Sequence, residues 1–189
     1  MKISDLRIGI RLGGAFAAVL ALVAIMLLSA LWQLGRISEA KTVMADASLS
    51  VSLAQQWLRG TEGNAVRTRA KAATADPAEE AYYEAEMKKA SAGISKTQKA
   101  LEAMVDGGKG KQLMEAVALQ RSRYTGLRDE GFRRKAALGA EDPEVMAFFR
   151  DKVMHEVDRY VASVQAVVVH EEALFAEADV LSLHLRLAD

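Results

Sequence analysis

The sequence predicts an all-α protein: an antiparallel up-down four-helix bundle preceded by one transmembrane helix continuous with the first bundle helix. Three observations predict it. The chain of 189 residues is rich in Ala, Leu, Glu, Lys, Arg and Met, holds 2 prolines, and lacks period-2 β-branched runs. An uncharged apolar run of 24 residues lies near its front. Behind that run, three turn signals separate segments whose apolar residues recur at alternating spacings of four and three.

The apolar run is "LGGAFAAVLALVAIMLLSALWQLG", Leu12 to Gly35. About 20 apolar residues span the hydrocarbon core of a bilayer, so this segment is long enough with some tilt. Lys2, Arg7 and Arg11 precede it against the single acid Asp5, which places residues 1–11 in the cytoplasm by the positive-inside rule. Trp32 sits where an interfacial aromatic is expected. A cleaved signal peptide would have an apolar region of ~7–15 residues with a small-x-small site just behind it. Here the nearest such triplet, Ala45-Asp46-Ala47, falls well past the run. The expectation is an uncleaved anchor, residues 12–35, with residues 36–189 forming a periplasmic domain.

Aspartate followed by proline opens two helices. "ADPAEE" gives Asp76 as N-cap, Pro77 at the first helical position and Glu79 at the third; "EDPEV" repeats this with Asp142 and Pro143. The carboxylate accepts from orphan amides, and proline loses no hydrogen bond at that position. The third break is "DGGKGK", Asp106 to Lys111, where glycines end one helix before the next. The four helices expected are Ile37–Ala75, Pro77–Val105, Lys109–Ala140 and Pro143–Ala188. The second has the seam Tyr83, Met87, Ala90, Ile94, Thr97, Leu101, Met104. The third has Leu113, Val117, Gln120, Tyr124, Leu127. The fourth has Val153, Val157, Tyr160, Val164, Val167, Glu171, Leu174, Ala178, Leu181. Such spacing is that of long antiparallel bundle helices.

Within the third helix, Arg121 and Arg128 flank the seam residue Tyr124. At ~100° per residue, Tyr124 and Arg128 lie within ~60° of Arg121 around the helix. Folding about the turn at Asp76 sets Arg59 level with Ile94, and folding about Gly107–Gly108 sets Arg121 at the same level, with Thr97 one turn away. Arg67 and Arg128 share a level ~10 Å further along. These arginines and hydroxyls could therefore meet in one stretch of the bundle. Guanidinium forks match carboxylates, and an anion would offset the unfavourable burial of unpaired cations. The alternative is a solvated face, with arginine stems packed, heads in water, and Glu115, Asp129, Glu130, Glu156 or Asp158 as partners. Gly60 and Gly63 interrupt the first helix. Close approach of a second subunit there would compensate for their helix-weakening effect; a locally weak helix is the other reading.

Other chemistry finds little support. Lys+Arg and Asp+Glu are both 25, which argues against a nucleic-acid binder. No cysteine is present, so disulfides, thiol catalysis and cysteine metal sites are excluded. "HEVDR" at His155 and "HEEAL" at His170 begin like a zinc-protease signature, but Arg159 and Leu174 stand where the second histidine belongs. No Glu-x-x-His, phosphate loop, nucleotide fingerprint or nucleophile elbow occurs. The expectation is a protein that is not an enzyme and carries no cofactor or metal.

The opening "MKISDLRIGIRLGGAF" with its single span resembles the start of bacterial methyl-accepting chemotaxis receptors. "WLRGTEGNAVRT" (Trp57 to Thr68) and "AYYEAEMKKASAGISKTQKAL" (Ala81 to Leu101) resemble their four-helix-bundle ligand-binding domain. The resemblance implies a homodimeric inner-membrane receptor with a periplasmic sensor, its dimer contact expected through helix one. It also implies a small carboxylate or amino-acid ligand held by arginines on helices one and three with help from helix two. "R-x-x-Y-x-x-x-R" at Arg121, Tyr124 and Arg128 looks like the version in organic-acid sensors, and Thr97 matches by position. Arg59 and Arg67 complete the expected ligand set. Such domains also front kinases and cyclases. The second span, the linker and the cytoplasmic signalling hairpin of those receptors have no counterpart here, so the chain is expected to be a fragment or truncated product of a longer receptor. Contact with a chemotaxis kinase complex would need that cytoplasmic part. A single-anchored periplasmic scaffold or partner-binding bundle is the other reading.

Overall fold

The computed structural model describes the backbone of residues 8–105 and 107–187, and the side chains of 12–35, 41–105 and 107–180. The side chains of the basic N-terminal residues Lys2, Arg7 and Arg11, of the turn residue Asp106 and of the seam residue Leu181 lie outside the described residues. Helix α1 covers Ile8–Ala73, α2 Pro77–Glu102 and α3 Gly108–Leu138. The fourth stem is α4, Pro143–Phe148, a π turn at Phe149–Val153, and α5, Met154–Leu187. No strand occurs among the described residues.

The chain divides into two units, residues 1–43 and 44–189. In the first, Leu12–Gly35 is the one described stretch long and apolar enough to cross a membrane, with mean hydropathy 2.6 and its side chains exposed throughout. The second unit is the bundle. Its pairings run antiparallel from stem to stem. Gly60 faces Ile94, Asn64 donates to Ser91, and Lys71 pairs with Glu84, so α2 descends as α1 ascends. Arg121 bonds Ser95, and Lys135 pairs with Glu80, so α3 reverses again. Gly110 meets His170, Tyr124 stacks on Tyr160, and Gly131 meets Phe149, which sets α5 against α3. Gln55 to Glu172 and Arg69 to Asp158 close the ring between α5 and α1.

The turns follow their local chemistry. Asp76 Oδ1 accepts from the Ala78 amide at 2.8 Å, and Asp142 Oδ1 accepts from Glu144 and Val145 at 2.8 and 3.2 Å. Each is the expected aspartate cap ahead of proline. Helix α1 ends at Ala73 rather than Ala75, because Thr74 Oγ1 donates to Glu79 and accepts from the Asp76 amide, turning the chain early. Helix α2 ends at Glu102, where Met104 and Val105 donate back three residues and tighten the last turn. At the other end, Gly139 with φ +97° stops α3 at Leu138, two residues short of Ala140.

The core follows the seams. Met87, Ile94, Thr97 and Leu101 are buried on α2; Val117 and Tyr124 on α3; Val153, Val157, Tyr160, Val164, Val167 and Glu171 on the fourth stem. Leu174 is 44% exposed, so this seam leaves the packed core beyond Glu171. The fourth helix differs from expectation in its start. Val145, Phe149, Val153 and Val157 are all buried at successive spacings of four. An α-helix would rotate such a row off the core; one wider turn absorbs the surplus residue. Gly131 makes room for it: a Cβ there would lie 2.8 Å from Phe149 Cζ.

Gly60 also has a packing role. A Cβ there would stand 3.1 Å from Ile94 Cγ1, so the close approach at Gly60 is made within the chain, between α1 and α2. Beside Gly63 the nearest atom is Nη1 of Arg67, on the same helix.

Candidate functional site

The inner face of α1 carries Trp57, Thr61, Asn64 and Thr68, spaced four, three and four, and all are buried. Three of these four are polar, where a bundle seam usually holds apolar residues. Thr68 Oγ1 donates to the Asn64 carbonyl at 3.1 Å and lies 2.6 Å from Tyr124 OH. Since the threonine proton is so engaged, the phenol is the donor between the two. Tyr124 in turn stacks on Tyr160, ring centroids 5.8 Å apart and planes 20° apart. Burial pushes the Tyr124 phenol up; its bond with Thr68 and the nearby Arg128 charge act in the opposite direction. The phenol is therefore a neutral donor at physiological pH.

Arg128 reaches over this layer. Its guanidinium carbon is 5.6 Å from the Tyr124 ring centroid, and its side chain is only 18% exposed. Two nitrogens donate to Asp129 Oδ1 at 2.9 and 2.7 Å, the carboxylate itself lying mostly in solvent. Burial works against the Arg128 cation, and the contributions of Asp129 and Tyr124 together outweigh it, so its pKa stands raised. Toward α2, Glu84 is held below its ordinary value by a bond from Lys71, with further help from the Arg128 charge.

Arg121 sits two turns before Arg128 on the same seam. Its Nη1 donates to Gln98 Oε1 at 2.8 Å and its Nη2 to Ser95 Oγ at 2.7 Å. Both acceptors are neutral, and no ion pair to Arg121 occurs among the described residues. Thr97 is buried one residue before Gln98. Arg67 is half-buried on the α1 face that carries Gly60 and Lys71 toward α2, again with no ion pair among the described residues.

The structure thus brings Tyr124, Arg128 and Thr68 together in the interior. It sets Arg121 on the same α2–α3 seam beside Thr97 and leaves Arg67 on the α1–α2 seam. Arg59 stands apart, exposed on the outer surface of α1. Of the acidic side chains weighed as partners for these arginines, Asp129 takes Arg128; Glu130 takes Arg133 and Arg134; Glu156 takes Arg159; Asp158 takes Arg69.

Four further interior atoms, Trp57 Nε1, Thr61 Oγ1, Asn64 Oδ1 and Tyr160 OH, are buried without a hydrogen-bond partner among the described residues, as is Gln120 Oε1. Buried polar atoms ordinarily satisfy one another, water or a ligand. Sequence reasoning passed over Thr61, Asn64 and Thr68, although their spacing with Trp57 was that of a core face. This stretch of the bundle thus brings hydroxyl groups and the guanidinium groups of Arg121 and Arg128 to the seams between helices.

Residues 5–174 match the family described as a four helix bundle sensory module for signal transduction. No curated protein matches the chain.

Proposed function

Because the chain belongs to the family of four-helix-bundle sensory modules for signal transduction, we propose that it senses a small organic anion for a membrane receptor. The family is the sensory module of chemotaxis-type receptors, a signalling family rather than an enzyme family. The observation that carries the anion reading is Arg121, a part-buried cation bonded to the neutral Gln98 and Ser95, with no carboxylate partner among the described residues. A carboxylate would supply the missing charge, and Arg128 with Tyr124 stands two turns away to take a second one. Arg67 would add long-range attraction from the neighbouring seam. A thermal-shift screen of di- and tricarboxylates tests this. A true ligand at about 100 times its dissociation constant adds ~2.7 kcal/mol of stability. A flat response across the panel would count against anion sensing and favour a scaffold role.

In the same proposal, residues 12–35 anchor the chain in a bacterial inner membrane, residues 1–11 face the cytoplasm, and the bundle lies in the periplasm. Two subunits meet along α1, where the apolar side chains Leu49 and Val66 stand exposed. The absence of native cysteine makes one variant sufficient for both points. Leu49→Cys is expected to react with a membrane-impermeant maleimide added outside spheroplasts, and to form a disulfide-linked dimer on mild oxidation. Protection from the reagent would reverse the orientation, and a chain that stays monomeric on oxidation would remove this face as the contact.

A further inference from the structure

Between Met87 and Leu101, helix α2 carries four lysines, Lys88, Lys89, Lys96 and Lys99, and no carboxylate. All four are exposed, and none forms an ion pair among the described residues. We propose that this strip is a docking surface for an anionic polysaccharide. It lies outside the seams that hold Arg121 and Arg128, so it stands or falls apart from the small-anion reading.

Helix geometry gathers the four charges. At ~100° per residue they occupy an arc of ~100° on one side of α2 and a length of ~16 Å. Met87, Ile94, Thr97 and Leu101 are buried on the opposite side. Ala85, Ala92 and Ala103 share the lysine arc, and all three are exposed. Their small side chains leave the ammonium groups as the outermost atoms of this face.

The helix by itself does not account for the pattern. Elsewhere on the bundle, exposed arginines have a carboxylate close by: Arg69 has Asp158, Arg133 and Arg134 share Glu130, Arg150 has Asp151 and Arg159 has Glu156. Of the acids flanking the strip, Glu84 takes Lys71, and Glu102 accepts from Gln98. Glu86 is half-buried and pairs with none of the four. Lys88 acts on Glu84 only at longer range. Lys99 alone lies in the last turn, where the negative end of the helix favours a cation. Lys96 and Lys99 stand three apart, a spacing at which like charges repel. A polyanion relieves that repulsion and releases its own condensed counterions.

The class of partner follows from the residue types on the arc. Among its exposed side chains there is no aromatic, no large aliphatic and no arginine. Protein interfaces are anchored by such residues and are depleted in lysine. Nucleic acids are held by arginine forks and stacked aromatics. A membrane surface needs an apolar face beneath the charges. Lysine ammoniums are compact point charges that accept any acceptor geometry. A flexible chain of acidic sugars can follow the whole arc, whereas a rigid duplex beside a helix touches only a line of it.

The test is fluorescence anisotropy of a short, fluorescein-labelled oligogalacturonate, titrated with the full chain in nanodiscs of zwitterionic lipid. Saturable binding is expected at about 20 mM salt. Four contacts at ~0.7 released ion each put the slope of log K on log salt near about −3, so about threefold more salt weakens binding roughly twentyfold. Lys96→Gln with Lys99→Gln removes two contacts, and the same salt step then weakens binding only about fivefold. Glutamine keeps helix propensity, and exposed exchanges of this kind leave the fold in place. Arg123→Gln with Lys152→Gln removes equal charge from exposed positions elsewhere and is expected to leave affinity and slope unchanged. Arg121→Ala is expected to leave them unchanged as well, which separates this surface from the small-anion site. No saturable binding at low salt, an equal loss in either control, or tighter binding of duplex DNA or of anionic vesicles would each overturn the proposal.

Discussion

Lys135→Met is expected to lower the stability of the bundle by about 3 kcal/mol, because it leaves part-buried carbonyls without their charged donor. Lys135 is 5% exposed. Its ammonium donates to the carbonyls of Lys71 and Thr74, the latter at 2.5 Å, and pairs with Glu80 Oε1 at 2.6 Å. The carbonyls of a helix's last turn have no partner within that helix. One cation on α3 therefore caps α1 and ties in the first turn of α2. Methionine preserves the stem and its packing but supplies no proton. Glu80, which is 37% exposed, can return to water, whereas the two part-buried carbonyls lose a charged donor. Urea denaturation of the solubilised chain at neutral pH reads the loss directly. A change below about 1 kcal/mol, the size seen for surface ion pairs, would mean the contacts contribute no more than exposed ones.

This residue also shows where the sequence stopped being informative. Lysine near the end of a helix reads as a solvated charge, and its acceptors lie on α1, more than sixty residues earlier in the chain. No local pattern announces such a contact. The elements themselves were legible, because the signals that set them are local. Asp76–Pro77 and Asp142–Pro143 cap helices as their chemistry requires, glycines mark the remaining turns, and the run from Leu12 to Gly35 stands out by hydropathy alone. The π turn was half visible. The spacing of Val145, Phe149, Val153 and Val157 by fours contradicts a continuous α-helix, and Gly131 across the interface supplies the space.

The candidate site was legible to the same extent. Counting residues away from a reversal gives height, so Ile94 does face Gly60, and Arg121 does meet the residue after Ile94. Counting does not give azimuth with equal accuracy in a long helix. Arg59 shares that height but lies on the outer face, one residue away from the inward Gly60. Thr68, one residue after Arg67, is the group that reaches Tyr124.

The larger effect concerns binding. Arg121→Ala and Arg128→Ala are each expected to weaken organic-anion binding by one to two decades while helicity stays intact. Neither head group holds up the fold: Arg121 bonds neutral side chains at a seam, and Arg128 bonds its own neighbour Asp129. Both carry charge into a stretch of the bundle where Tyr124, Thr68 and Tyr160 are buried. A bidentate guanidinium–carboxylate contact of this kind contributes ~1.5–3 kcal/mol, so losing one moves a micromolar constant by one to two decades, to about 10–100 μM. The direct measurement is isothermal titration of the wild-type chain and both variants with the strongest hit of the carboxylate panel, with circular dichroism recorded on the same samples. A dissociation constant at least about tenfold weaker in each variant than in the wild type, at unchanged helicity, is the expected result. Equal heats for all three chains would contradict the assignment of these arginines to a ligand.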